Sequence, residues 1–107
     1  MRSHEWIDQR SLALDRRIAD KLEAEPELLQ QAVRVLERWI AQRQPDPPPV
    51  LLEWREILRH RSPPDILDML RGDTEESRRL RQSSPFCGIL SAEERLAVFR
   101  EYEAART

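Results

Sequence analysis

A chain of 107 residues, 39% hydrophobic and 36% charged, carries apolar material for one modest core beneath a heavily charged surface. Its 18 basic residues against 20 acidic ones, for a net charge of -2, exclude the broad basic field on which nonspecific nucleic-acid and anionic-membrane binding rest. No apolar run approaches the roughly 18 residues that cross a bilayer, "MRSHEWIDQR" lacks the apolar centre of a secretory signal, and the lone Cys87 suits a reducing compartment, so a cytoplasmic location is expected.

Residues 5 to 24 place Ile7, Leu14, Ile18 and Leu22 at helical spacing among charged residues, which predicts an amphipathic helix. Pro26 can open a helix but not continue one, so it should end the first helix and begin the second. Over residues 27 to 43, Leu29, Val33, Leu36 and Ile40 share a face that Leu28, Ala32, Val35 and Trp39 widen. Residues 1–44 therefore read as an antiparallel helical hairpin. Prolines at 45, 47, 48 and 49 then impose a stiff spacer over 45–49.

Residues 50–107 read as a cluster of shorter helices. The first runs from Val50 to His60, with Leu51, Trp54 and Leu58 on one stripe and Ile57 beside it. Ser62 as N-cap, Pro63 in the first helical position and Asp65 open a second, which should stop at Gly72. Asp73 as cap and Glu76 at the third position open another, to about Gln82. Ser91 and Glu94 form a capping box before a last helix at 92–105, with Leu96, Phe99 and Tyr102 at spacing three. No stretch alternates as a strand does, so the expected fold is all-α: a single domain of five or six helices.

"RQSSPFCGIL", residues 81–90, breaks the helical pattern. Pro85 forces Ser84 out of helical geometry, and Gly88 permits a positive φ that would turn Ile89 and Leu90 back toward the surface that Phe86 meets. Leu90, just before the cap, is placed to pack on the stem of Arg95 or to staple onto Leu96. Two readings account for the apolar load. In one, Phe86, Ile89 and Leu90 plug the core; in the other they are a partner anchor rimmed by the upstream Arg71, Arg78, Arg79 and Arg81.

Catalytic and cofactor chemistry finds no footing in the pattern. His4, His60 and Cys87 lie far apart without paired ligand spacing, which argues against a metal site. Glu75-Glu76 and Glu93-Glu94 sit in first helical turns, where they complement the helix dipole. Cys87, between Phe86 and Gly88, reads as a small buried thiol. Trp39 and Trp54 fall on or beside apolar stripes, whereas Trp6 is the candidate for an exposed contact. A helix-turn-helix reading of residues 50–71 fails because "DILDML" carries two aspartates and no basic or amide side chain to meet DNA. The pattern thus excludes no partner protein but argues against membrane insertion and direct nucleic-acid binding. The alternative reading is a small helical homodimeric protein that is regulatory or DNA-associated.

"RSLALDRRIADKL", "LLQQAVRVLERW", "LLEWREIL" and above all "RRLRQSSPFCGILSAEERLAVFREYE" resemble a group of small helical bacterial proteins. These are encoded beside nucleotidyltransferase-like proteins and treated as antitoxins of toxin-antitoxin modules. The resemblance spans nearly the whole chain, with "RQSSPF" and "GILSAEER" its most specific parts. It implies a noncatalytic protein that binds and silences a nucleotidyltransferase-like toxin, with Arg78, Arg81, Ser84, Pro85 and Phe86 inside the motif. The chain departs from DNA-binding antitoxins in lacking a basic N-terminal domain.

Overall fold

The computed structural model describes residues 4–106, with side chains from Trp6 to Ala105. Six α-helices account for most of it: α1 (His4–Ala24), α2 (Leu29–Gln42), α3 (Pro49–His60), α4 (Pro63–Arg71), α5 (Glu75–Arg81) and α6 (Ala92–Arg106). A 3-10 turn, Pro26–Leu28, joins α1 to α2, as the proline predicted. Among the described residues there is no strand.

Local chemistry sets most of the boundaries. The Ser62 hydroxyl accepts from the Asp65 N–H at 3.3 Å, and Pro63 occupies the first position of α4. Gly72 stops α4 in extended geometry (φ -80°, ψ 156°), its N–H held by the Asp68 carbonyl at 3.0 Å. Ser91 and Glu94 make the reciprocal capping box: Glu94 N–H donates to Ser91 Oγ at 3.1 Å and Ser91 N–H to Glu94 Oε1 at 2.8 Å. The cap of α5 is Thr74 rather than Asp73. Thr74 Oγ1 accepts from the Ser77 N–H at 3.0 Å, while the Asp73 carboxylate is drawn off by both arms of Arg78, at 2.8 and 3.2 Å.

One hydrophobic core runs from Ile18, Ala19 and Leu22 of α1 through every later helix up to α5 and on to Leu90. Trp54 stands at its centre, 1% exposed, with its indole N–H donating to the Leu80 carbonyl at 3.0 Å. A buried tryptophan needs such a partner, and here it ties α3 to α5. Ion pairs staple the rim: Arg55 to Glu37 joins α3 to α2, Arg79 to Glu53 joins α5 to α3, and Arg71 to Asp20 and Glu23 joins α4 to α1.

The hairpin expectation needs revision in its packing. α1 lies mainly against α4 and α6, and α2 against α3. Between the first two helices sits the 82–91 connector, which receives Lys21 from α1 and Gln31 from α2. The proline stretch likewise is not a spacer between two units. Arg43 N–H donates to the Ile40 carbonyl and Asp46 N–H to that of Arg43, both at 3.1 Å, so the chain turns and lays α3 back on α2.

The stripes of α1 and α6 are also shifted. Trp6, Leu12, Asp15, Ile18, Ala19 and Leu22 face inward on α1, while Ile7 is 43% exposed. On α6, Val98 is buried and Leu96 is 47% exposed, so the expected staple between Leu90 and Leu96 does not form; Leu90 enters the main core instead. No described helix is long and apolar enough to cross a membrane.

Candidate functional site

Arg81, last residue of α5, turns inward rather than forming a partner-facing rim. Its Nε donates to Asp15 Oδ2 at 3.0 Å and its Nη2 to the Gly72 carbonyl at 3.0 Å. The two side chains are only 7% and 9% exposed. Burial pushes the Asp15 carboxyl up to about 6, although the Arg81 hydrogen bond and charge pull the other way. One buried pair thus pins α1, the α4–α5 junction and the end of α5 together.

From there the chain alternates in direction. Pro85 and Phe86 go in: Phe86 is fully buried, its ring edge-on to Trp54 at 5.7 Å between centroids. The Ser84 hydroxyl accepts from the Phe86 N–H at 3.2 Å and the Ile89 N–H donates to the Phe86 carbonyl at 3.1 Å, closing a short turn that sends Ile89 and Leu90 in as well. Cys87 and Gly88 are therefore turned out, and Cys87 is exposed rather than the buried thiol expected from its neighbours. Gly88 does not adopt a positive φ; the turn is made without a left-handed residue.

Three successive carbonyls of the connector are each taken by a different helix. Arg95 of α6 reaches that of Cys87 at 3.3 Å, Gln31 of α2 that of Gly88 at 3.1 Å, and Lys21 of α1 that of Ile89 at 2.8 Å. Lys21 also meets Glu94 at 2.6 Å, and with the capping contacts to Ser91 this holds the Glu94 carboxyl down at about 2. The connector is thereby fixed by side chains on three sides.

Its outward half borders an open cleft of about 340 Å³. Leu14 and Ile18 of α1, Trp39 of α2 and Leu90 line its apolar part. Ser11, Gln82 and Ser83 supply hydroxyls and an amide that bond to nothing else among the described residues; Cys87, Arg95, Ser84 and the Asp15–Arg81 pair also line it. Arg95 meets no carboxylate among the described residues, so its charge is available at the mouth. Such a wall suits recognition of a side chain with an apolar body and an amide or acidic head.

The six residues expected to bind a partner scatter. Arg81 and Ser84 line the cleft. Pro85 and Phe86 are buried, because the core beneath α3 and α5 takes the ring that an interface would otherwise use. Arg78 is spent on Asp73. Trp6 is 7% exposed, its ring 5.9 Å from Tyr102 and 4.8 Å from the Arg10 guanidinium, at the far end of α1. Neither Phe86 nor Trp6 can serve as an exposed anchor.

Sequence reasoning missed Asp15, Trp39, Cys87 and Arg95 as cleft residues. Asp15 left a signal: a carboxylate three and four positions before Ile18 and Ala19, on the buried stripe, demands a cationic partner. No group of His, Cys, Asp and Glu that would hold a metal occurs among the described residues, and the side chain of His4 lies outside them. No family model, curated protein or solved structure matches the chain.

Proposed function

We propose that this chain is an antitoxin-like, protein-binding module that neutralises a cognate nucleotidyltransferase-like toxin by direct contact through the cleft between α1, α2 and the 82–91 connector. One observation supports the reading most. Part of the most specific sequence motif, Ser83, Ser84 and Arg95, borders an open cleft beside Trp39 and Cys87, although the same motif's apolar residues are committed to the core. A segment with only a packing role has no need of an unspent hydroxyl and amide, beside a guanidinium without a carboxylate, around a recess. The cleft's apolar lining and single free cation fit an acidic or amide side chain on the toxin.

The experiment is co-expression of this chain with the product of the adjoining gene, read as relief of growth arrest and as a complex that survives gel filtration. Arg95→Glu, and alkylation of Cys87 by N-ethylmaleimide, should each weaken the complex while the helical circular dichroism stays unchanged. A complex indifferent to both changes, or growth arrest that this chain does not relieve, rules the reading out.

A further inference from the structure

A second recess lies between the α1–α2 turn and the start of α4, separate from the cleft described above. Leu22, Pro26 and Leu29 on one side and Pro63, Pro64, Ile66 and Leu67 of α4 on the other line a groove of about 280 Å³. That is below the range of about 300 to 1,000 Å³ common for small-molecule sites, and it suits side chains presented by another polypeptide. Prolines in the lining stiffen the walls, so little ordering accompanies filling it.

Apart from the paired Arg71, the charges in and beside this groove are acidic. Glu25 and Glu27 flank Pro26, Asp65 follows Pro64, and Asp68 lines the groove itself. None of these carboxylates pairs with a basic side chain among the described residues. Arg71, the one cation in the lining, is already shared by Asp20 at 2.9 Å and Glu23 at 3.2 Å. An apolar slot with unpaired carboxylates in and next to its lining is complementary to an apolar segment flanked by basic residues.

We infer that the Pro26–Pro63 groove is a docking site for a short apolar segment flanked by arginine or lysine, contributed by a protein partner. This surface stands independently of the cleft and gives the chain a second point of attachment. Ion pairs at its exposed ends set specificity and association rate, and the apolar slot sets residence time.

The test uses the full chain and a fluorescein-labelled helical peptide with leucines four apart between arginine pairs, against a control with glutamates replacing the arginines. Anisotropy should show binding of the arginine peptide alone, weakening as salt is raised. In NMR spectra of the labelled chain the shifts should centre on Leu29, Ile66 and Leu67. The doubly reversed Glu27→Arg, Asp68→Arg chain, changed only at exposed positions, should lose roughly tenfold in affinity, whereas Arg95→Glu should lose nothing. Equal binding of both peptides, shifts centred elsewhere, no binding, or occupation of the groove by a second copy of the chain in sedimentation would each overturn the assignment.

Discussion

Arg81→Met removes one partner of the buried pair and leaves Asp15 facing the interior without its cation. At 3.0 Å, with both side chains under a tenth exposed, the attraction is roughly 5 kcal/mol at an effective dielectric constant of about 20. Breaking such a pair costs roughly 3–5 kcal/mol, since the remaining charge keeps its desolvation penalty. At about 4 °C per kcal/mol for a chain of this size, Tm should fall by roughly 12–20 °C at pH 8. The double variant Asp15→Leu, Arg81→Met should recover much of that loss, because neither charge is then buried.

The loss should also depend on pH, with a definite sign. In the intact protein burial holds the Asp15 carboxyl up at about 6 against an ordinary 3.8, so its contribution is fully present below the unfolded value and lost as pH rises through about 6. Without Arg81 the carboxyl titrates higher still, and the deficit of Arg81→Met should shrink as pH falls from 8 toward 5. Differential scanning fluorimetry across that interval tests it. A Tm change under about 4 °C at pH 8, or a deficit that grows on acidification, would refute the account of the pair.

Phe86→Ala should cost roughly 3–5 kcal/mol by chemical denaturation, because the ring is fully buried against Trp54; a loss below 1 kcal/mol returns Phe86 to the surface. Thr74→Ala should cost about 1 kcal/mol and Asp73→Ala less, since the threonine holds the cap; the reverse order in urea melts would put the start of α5 one residue earlier. Glu94 contributes stability above the ordinary carboxylate range that is lost as pH falls toward about 2, so Glu94→Gln should flatten the acid limb of a Tm profile between pH 5 and 2, a change absent in Glu93→Gln.

The helices were largely legible because their termini carry their own chemistry. Ser62 with Pro63, and Ser91 with Glu94, satisfy backbone groups within four residues, so the sequence around them decides the outcome. The packing was less legible because it turns on partners far along the chain. Nothing near Arg81 announces Asp15, which lies 66 residues away. Ile7 and Leu96 fit helical periodicity as well as Leu12 and Val98 do; which is buried depends on where α1 and α6 cross, and spacing alone does not encode that. The exposed Cys87 followed from the Phe86–Ile89 turn, and a glycine three residues after a proline misdirected the expectation toward a positive φ.

The connector's alternation resolves the choice between core and interface that its composition posed. Residues 85, 86, 89 and 90 hold the helices together, and residues 83, 84 and 87 face the cleft, with Arg81 serving both sides. Substitutions in the first set should change stability and binding together, because they release the scaffold on which the cleft is built. Those at Gln82, Ser83 and Cys87 should change binding alone. A partner whose affinity follows thermal stability across both sets cannot be using the cleft, and one whose affinity responds to the second set at constant Tm must touch it.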